Sequence, residues 1–424
     1  MVTIDRRRFL GLAASTAVMT TLAACGGGGS QSSSTGEGGT TTLKLWHGYT
    51  EADGKVLDSI VEAFNASQDT YKVEAEVTAW SSISEKLLTS LSAGDGPDIV
   101  CQGVDTGPGY AKQGAFIPLQ DFYDDPETYT SSSVYYSNVV EQVTWDGATY
   151  AVPMGVSAFA VWYNTAMWEA AGLTEADYPT TVDELIEVAK KLTIASDDGG
   201  APKQYGLALP DSDAGVLSTL LHSGGGDFIS DGEVLIDSPE NIATLTTWQK
   251  AFTEDHISPV GMDVNAAAQL FQGGKAAMIL NGPWQITAAA TSGVEVGLFP
   301  WPGDWVESVA MYWYATSMVN TEEKTKAAYA FMDFWNSHEQ QVAWTASYYP
   351  PNRSDITADE FSDPLVATLS TFSDQAHYYM TGVDTSVTDI TNETSSMMSK
   401  IAAGGDVAAL VAECQTKVEG YMAS

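Results

Sequence analysis

Basic residues are scarce in this sequence. Its 424 residues include 55 aspartates and glutamates but only 18 lysines and arginines, which gives a formal net charge of −37. Three of the four arginines stand together near the N-terminus, and Arg353 is the fourth. Nucleic acids and anionic lipid surfaces are bound through clusters of lysine and arginine, and phosphate groups through forked arginines. The composition therefore argues against nucleic acid and against peripheral binding to anionic lipid, and it disfavours phosphate-rich ligands.

Cysteine and histidine are also rare, with three and five residues. Cys25, Cys101 and Cys414 are too few and too far apart for a disulfide framework. The motifs H-E-x-x-H, G-x-S-x-G and G-x-x-x-x-G-K-[ST] do not occur, so metalloprotease, serine-hydrolase and nucleotide-hydrolysing chemistry are not indicated. We expect no enzyme activity, no cofactor and no metal site. A glycoside hydrolase stays open as an alternative, because 54 acids follow residue 24 and two would suffice.

The first 24 residues are typical of an export signal. Arg6, Arg7 and Arg8 precede an apolar stretch, residues 10–24, that is too short for a comfortable membrane span. Residues 22–25, Leu-Ala-Ala-Cys, resemble a bacterial lipobox, in which the cysteine receives a lipid and becomes the mature N-terminus. The arginine pair also resembles a twin-arginine signal, but Asp5 precedes it, so the export route stays open. An ordinary cleaved signal, with Cys25 incidental, is the alternative.

A flexible linker follows this signal. Residues 25–41 are rich in glycine and serine. No later run reaches the ~18 consecutive apolar residues of a spanning helix. The sequence thus predicts a lipoprotein signal peptide at 1–24, a linker at 25–41, and a body held to the cell membrane by a lipid on Cys25, on its extracellular or periplasmic side.

The body has the pattern of an α/β protein. Residues 43–46 predict a strand, residues 56–64 carry one apolar helical stripe, and residues 71–77 alternate as a second strand. A further helix and the buried strand 98–101 follow. This βαβ rhythm predicts a parallel sheet. The chain length favours two domains, since single cores rarely exceed ~250–300 residues.

Eight short segments, taken in order, resemble the extracellular solute-binding proteins of family 1, which are the carbohydrate-binding lipoproteins of ABC importers and share the plan of maltose-binding protein. The resemblance covers residues 42–424. The segments are 45–49 (LWHGY), 93–100 (AGDGPDIV), 110–114 (YAKQG), 150–154 (YAVPM), 162–164 (WYN), 273–278 (GGKAAM), 281–284 (NGPW) and 350–353 (PPNR).

The resemblance implies a two-lobe α/β fold of the periplasmic-binding-protein (Venus flytrap) type. Three chain crossings would join the lobes, near residues 155–157, 311–314 and 351–353. Lobe 1 would be 42–155 plus 313–350, and lobe 2 would be 156–312 plus 351–424. A neutral mono- or oligosaccharide would lie in the cleft at the carboxyl ends of the strands. A monomer would then deliver it to separate ABC permease subunits.

Such a sugar stacks its C–H faces on aromatic rings and bonds its hydroxyls to carboxylates and amides. The chain has 12 tryptophans, 19 tyrosines and many acids, which suits that chemistry. The resemblance places contacts at Tyr49, Thr50 and Glu51, after the first strand. Trp80, at the end of the second strand, is either a stacking platform or a cap on the lobe.

Further candidates follow the later elements. Gln102 and Asp105 come after the third strand, where Asp105 is either a hydroxyl acceptor or the acid of an Asx turn or helix cap. Ser157 falls at the first crossing. Asp211 and Asp213 follow another strand and are either edge residues of the cleft or solvated loop acids.

Two tryptophans and the lone arginine complete the set. Trp284 is the strongest choice, because the turn Asn-Gly-Pro-Trp places its indole at the cleft wall in relatives. Strand alternation sends Trp313 to the face opposite its tyrosine neighbours, and we expect it in the cleft. Arg353 either holds ligand hydroxyls or forms a hinge ion pair.

The predicted function is that of a substrate-binding lipoprotein that captures a neutral sugar. The alternatives are the same fold with a polyol, glycerophosphodiester or peptide as cargo, a surface glycoside hydrolase, and an adhesive lipoprotein without a small ligand.

Overall fold

A computed structural model describes residues 39–50, 52–230, 232–361, 363–380, 383 and 386–423. The predicted signal peptide, Cys25 and nearly all of the linker lie outside these ranges. Strands β1 to β14 are, in chain order, Thr41–His47, Tyr71–Val77, Ile99–Gly103, Thr144–Trp145, Ala148–Thr149, Ala151–Ala158, Ala160–Asn164, Tyr205–Ala208, Ile229–Ser230, Glu233–Val234, Ala276–Asn281, Val296–Pro300, Val306–Ala315 and Ala376–His377. Helices α1 to α16 are Ala52–Ser67, Trp80–Ala93, Gly107–Lys112, Gln120–Asp124, Ser137–Glu141, Thr165–Ala170, Val182–Leu192, Ala214–Ser223, Pro239–Thr253, Val264–Gln272, Gln285–Ser292, Glu322–Trp335, His338–Trp344, Pro364–Ser370, Val387–Ala402 and Val407–Met422.

The first sheet has the order β14-β13-β3-β1-β2, with β6 also paired to β13. β1 runs parallel to both β2 and β3, which confirms the parallel sheet that the N-terminal rhythm predicts. β13 runs antiparallel to β3 and β6. This sheet carries the carboxyl ends of β1 and β3 to one edge, where the predicted contact residues follow them.

The second sheet has the order β12-β7-β11-β8. β8 and β11 are parallel, whereas β7 is antiparallel to both of its neighbours. β11 is buried along its whole length, as expected of a strand covered on both faces. The turn that contains Trp284 follows directly from β11.

Two long strands connect the surroundings of the two sheets. β6 and β13 pair along most of their length, from Ser308 opposite Ala158 to Tyr314 opposite Ala151. The register shifts between Met311 and Tyr312, which marks a β-bulge. A bulge bends a strand and increases its local twist, so the paired strands change direction at the place where two chain crossings are predicted.

Asn352 ties a third segment to these strands. It is fully buried, and its Oδ1 accepts a hydrogen bond from the Val156 amide at 3.0 Å. Its own amide donates to Gln341 Oε1 at 2.8 Å, and its Nδ2 lies 3.4 Å from Asn336 Oδ1. Asn336 in turn donates to the Pro153 carbonyl at 2.9 Å. Buried amides thus hold the predicted third crossing against β6.

The structure divides one predicted helix. The apolar side chains Phe331, Met332, Trp335 and Val342 predict, by their helical spacing, one helix over 327–344. In the structure α12 ends at Trp335 and α13 begins at His338. Ser337 caps α13 by accepting the Gln340 amide, and Asn336 turns its side chain toward Pro153. Side chains that bond to nearby backbone compete with helical hydrogen bonds, and this explains the break.

The prediction for Trp313 is wrong. Its side chain is fully buried, and its ring packs against Phe331 and Trp335 of α12 at centroid distances of 5.7 and 5.1 Å. Alternation along β13 does separate Trp313 from the neighbouring tyrosines. However, its face of the sheet is covered by α12 and belongs to the core, so it does not line the cleft.

Other core assignments agree with the sequence. Trp248 shares one helical face with Leu245 and Phe252, which predicts a core position, and it is 1% exposed and stacks on Trp301. Cys101 and Cys414 are free and buried. Within the described ranges, none of the helices is long and apolar enough to cross a membrane, and no group of three or more potential metal-binding side chains is present.

Candidate functional site

The main cavity, about 430 Å³ in volume, contains the exposed face of Trp284. Residues from helices beside the first sheet and from helices beside the second sheet line it together. Carboxylate, amide and hydroxyl groups share this lining with two aromatic rings, a mixture that suits a sugar. The lining residues are Asp53, Gln272, Trp284, Thr287, Ala288, Thr291, Ser292, Ser347 and Tyr349.

Trp284 is held in this cavity by the turn between β11 and α11. Asn281 accepts the Gly282 amide at 2.9 Å, and its Nδ2 donates to Gln285 at 3.0 Å. The indole folds back so closely over Gly282 that a Cβ there would overlap the ring. Phe159 packs edge-on against the indole at 5.8 Å. These contacts fix one face of the ring and leave 41% of the side chain exposed.

Trp80 is a second exposed indole. It begins α2, whereas the sequence suggests the end of β2. Its ring lies directly over Gly48, where a side chain would collide with it, and it remains 37% exposed. Tyr49 supports it from below with an edge-on contact at 5.2 Å.

The turn after β1 differs from its predicted role. Tyr49 is only 5% exposed and lies among Trp80, Trp344 and Tyr349, with its hydroxyl 3.5 Å from Met154 Sδ. The prediction that Tyr49 contacts the ligand is therefore contradicted, because the ring fills the core beneath Trp80. Thr50 is exposed, and Glu51 lies outside the described residues. Asp53, one helical turn further, lines the main cavity although sequence reasoning did not select it.

Asp105 lies in a second cavity of about 390 Å³. It is exposed, but the surrounding protein removes much of the water around its carboxylate and raises its pKa. The carboxylate also accepts the Thr106 amide, so the predicted local-turn role is present beside the possible ligand role. The lining residues are Asp105, Thr106, Gly109, Tyr110, Gln113, Ser386, Val387, Thr388 and Asp389.

Glu307 is the residue that sequence reasoning missed most clearly. It is 8% exposed on β13, and its Oε2 has no hydrogen-bond partner among the described residues. Burial raises the pKa of its carboxyl group, and the nearby carboxylates of Asp213 and Asp105 raise it further. No sequence motif distinguishes this acid from the other 53 of the body.

Asp211 and Asp213 have different roles. Asp211 is fully buried and accepts the amides of Gly261 and Met262 at 2.6 and 2.9 Å, so it braces a loop and is neither solvated nor a cleft residue. Asp213 caps α8 by accepting the Val216 amide at 2.9 Å. Loss of hydration raises the pKa of Asp213.

Two further candidates, Gln102 and Ser157, are buried. Gln102 is 5% exposed, with Oε1 3.5 Å from Thr106 Oγ1. Ser157 is fully buried and donates to the Ala158 carbonyl. Neither residue lines the two cavities, because both belong to covered strands.

Arg353 forms a local ion pair and lines neither cavity. Its Nε and Nη2 bind the Asp355 carboxylate at 2.8 and 2.6 Å, and its Nη1 donates to the Asn336 carbonyl at 2.9 Å. The guanidinium group is thus oriented by its own neighbours. The predicted bidentate hold on ligand hydroxyls is contradicted.

Comparison with known proteins places this geometry in context. The sequence model of a family described as bacterial extracellular solute-binding protein matches residues 48–342. A maltotriose-binding protein of Pyrococcus abyssi is 23% identical over 349 residues, which are 78% of this chain and 70% of that protein.

Two solved structures share the fold at equal similarity. The cyclic α-maltosyl-1,6-maltose-binding protein of Arthrobacter globiformis superposes with a TM-score of 0.77 at 20% identity, over 91% of this chain and 99% of that one. UgpB of Mycobacterium tuberculosis, in complex with glycerophosphocholine, also has a TM-score of 0.77, at 17% identity and over 91% and 99% of the two chains. These likenesses confirm the predicted two-lobe α/β fold. Because these two proteins have different ligands, the fold alone does not identify the ligand of this chain.

Proposed function

The chain belongs to the family of bacterial extracellular solute-binding proteins, and we propose that it captures a sugar or oligosaccharide between its two lobes for an ABC importer. The observation that carries this proposal is the exposed indole of Trp284 in a cavity that also presents carboxylate, amide and hydroxyl groups. An indole face suits the C–H face of a sugar ring, and the polar groups suit its hydroxyls.

The charge of the cavities favours a sugar over a phosphodiester. Neither cavity lining includes a lysine, arginine or histidine among the residues that the structure describes. Asp53 faces one cavity, and Asp105 and Asp389 face the other. A phosphate group there would lose hydration and meet carboxylates without a cationic side chain to balance its charge. A glycerophosphodiester is therefore the weaker candidate, even though a protein of the same fold binds one.

Capture follows from hinge closure. A sugar that first stacks on one lobe draws the other lobe over it, and the bend of β6 and β13 at the Met311 bulge accommodates the rotation. We propose lobe boundaries at 42–155 plus 313–350 and 156–312 plus 351–424. The closed, loaded form would then dock on the permease.

The ligand set that we propose from the sequence predictions now comprises Thr50, Glu51, Trp80, Asp105 and Trp284, together with Asp53, which the main cavity adds. Anchoring by a lipid on Cys25, a monomeric state and the absence of enzymatic activity complete the proposal. Incubation with candidate oligosaccharides tests the last point, because a hydrolase would generate new reducing ends and a binding protein would not.

A thermal-shift screen over mono-, di- and oligosaccharides tests the binding function. A ligand that binds the folded state alone raises the melting temperature by mass action. We expect a shift with at least one sugar, and its loss in Trp284→Ala. Ile194→Ala is the matched control, because Ile194 is 50% exposed and lines neither cavity. No shift with any sugar, or a shift unchanged in Trp284→Ala, would overturn the proposal.

A further inference from the structure

Three strands of the first sheet place proposed ligand residues in a row. β1 lies between β2 and β3 and runs parallel to both, so the three carboxyl ends meet at one edge. The chain continues from β2 to Trp80, from β1 to the segment of Asp53, and from β3 to Asp105. Neighbouring strands lie about 4.8 Å apart. The three side chains therefore follow one another along this edge in the order of the strands.

The main cavity and the cavity of Asp105 both lie between the two proposed lobes. In the main cavity, Asp53 and Tyr349 belong to lobe 1, and Trp284 belongs to lobe 2. In the second cavity, Asp105 belongs to lobe 1, and Thr388 belongs to lobe 2. A ligand that the two lobes enclose therefore has two cavities available, one beside β1 and the other beside the neighbouring strand β3.

Trp80 is linked by contacts to the walls of both cavities. On one side, its ring contacts Tyr49 edge-on at 5.2 Å, and Tyr49 contacts Tyr349 of the main cavity at 6.2 Å. On the other side, the carbonyl of Ser84, one helical turn after Trp80, accepts the hydroxyl of Tyr110 at 3.2 Å. Tyr110 lines the second cavity. A ligand that extends from one cavity to the other therefore passes the indole of Trp80.

The indole of Trp80 is held in place and still open to a ligand. A Cβ added to Gly48 would lie 2.3 Å from two atoms of the ring, so the indole covers the end of β1 only because residue 48 has no side chain. Tyr49 supports the ring, yet 37% of the side chain of Trp80 stays exposed. A supported ring with an exposed surface suits stacking on the C–H face of a sugar.

We propose that Trp80 is the central platform of one groove that joins the two cavities, and that the preferred ligand is an oligosaccharide of at least three sugar units. This inference rests on the proposed function and narrows its ligand. One unit stacks on Trp284 in the main cavity, the next unit stacks on Trp80, and a third unit meets Asp105 in the second cavity. A monosaccharide reaches only one of these positions.

Calorimetry with sugars of increasing length tests the inference. The probes are linear oligomers of glucose, galactose, xylose and N-acetylglucosamine, each from one to five units. Since an aromatic contact strengthens binding by about 2- to 13-fold, we expect the trisaccharide of a series that binds to exceed its monosaccharide in affinity by at least about fivefold. Further units should add little, because they extend beyond the groove.

Two variants disturb the central platform in different ways. Trp80→Ala deletes the indole, whereas Gly48→Ala keeps the indole but displaces it by the added Cβ. Each should lower the ratio of trisaccharide to monosaccharide affinity by about 2- to 13-fold. Trp80→Phe keeps a ring and should retain most of the ratio. Val77→Ala is the matched control and should leave the ratio unchanged, because Val77 is exposed at the end of β2 and lines neither cavity.

The possible results separate this inference from the proposed function. If a monosaccharide binds as tightly as its trisaccharide, the inference is overturned and the proposed function stands. The same holds if Trp80→Ala and Gly48→Ala lower the melting temperature but retain the affinity ratio, since Trp80 would then only cap its lobe. If no sugar of these series or of the thermal-shift screen binds, both are overturned.

Discussion

Trp284 and Trp313 are both predicted from the sequence to face the cleft, yet they occupy opposite environments. Trp284 follows a buried strand at a turn, stacks on Gly282 and keeps 41% of its surface exposed. Trp313 lies within a strand and is enclosed by Phe331 and Trp335. A turn at a strand end leaves its side chain exposed, whereas the middle of a strand presents one face to each covering layer.

We therefore expect Trp313 to contribute to stability and Trp284 to ligand binding. Trp313→Ala should lower the free energy of unfolding by about 3–5 kcal/mol, since it leaves a large cavity beside α12. Urea denaturation measures this loss. The fraction that remains folded should bind sugar normally. A loss of affinity without a loss of stability would place Trp313 in the cleft after all.

Trp284→Ala should have the converse effect. Removing an exposed ring should change the free energy of unfolding by less than about 1 kcal/mol, while the loss of stacking should weaken sugar binding by about 1–3 kcal/mol, or roughly 5- to 150-fold. Because stacking involves no net charge, the loss should be independent of salt. Titration calorimetry at low and high salt checks both points. Strong destabilisation of the apo protein would contradict the assignment.

Replacement of Asn352, which lies at the predicted third crossing, should have an intermediate effect on stability. Asn352→Ala removes the acceptor of the Val156 amide and the donor to Asn336 Oδ1 in a buried site, and keeps the backbone donor to Gln341 Oε1. Each unsatisfied buried group costs about 1–3 kcal/mol, so we expect destabilisation in that range by chemical denaturation. Asn352→Asp keeps the acceptor for Val156 and serves as the closer comparison. Unchanged stability in both variants would remove Asn352 from the account of the hinge.

Glu307→Gln should change the pH dependence of stability. Burial and neighbouring acids raise the pKa of Glu307 in the folded state above its unfolded value. The contribution of Glu307 to folding stability is therefore fully present below about pH 4.5, the ordinary pKa of glutamate. It is lost as the pH rises through the raised pKa of the folded state. In urea denaturation without ligand, the free energy of unfolding of Glu307→Gln should exceed that of the wild type by an amount that grows from pH 5 to pH 8. A gain that shrinks with pH would contradict the predicted sign.

The smallest effect is expected at Arg353. Arg353→Lys loses the forked pair with Asp355, a half-exposed carboxylate, and keeps a positive charge. Such pairs contribute about 0–1 kcal/mol, so stability should fall by no more than that amount, and sugar affinity should remain unchanged. A marked loss of affinity would restore the ligand role that the contacts of Arg353 contradict.

The sequence predicts the frame of the molecule well because periodicity and turn residues are local signals. β1, β2 and β3 lie within about two residues of the predicted strands, and the Asn-Gly-Pro-Trp turn leaves Trp284 exposed. Local signals fail where tertiary contacts decide. The core ring of Tyr49 and the buried carboxylate of Glu307 look no different in sequence from exposed residues, because their surroundings come from distant segments.

Arg353 shows the same limit of prediction from sequence. Its rarity suggests a special role, and the chain does give it one, but Asp355 lies only two residues away and engages the guanidinium first. Composition can therefore exclude partners for the whole chain, such as nucleic acid. It cannot assign a ligand contact to one side chain without the distances around it.

The most direct test of sugar binding at Trp284 is titration calorimetry of the wild type and of Trp284→Ala with the mono-, di- and oligosaccharides of the thermal-shift screen. The account predicts one sugar per chain for the wild type, with at least fivefold weaker binding by the variant. It is contradicted if no sugar produces a binding isotherm, or if the variant binds as tightly as the wild type.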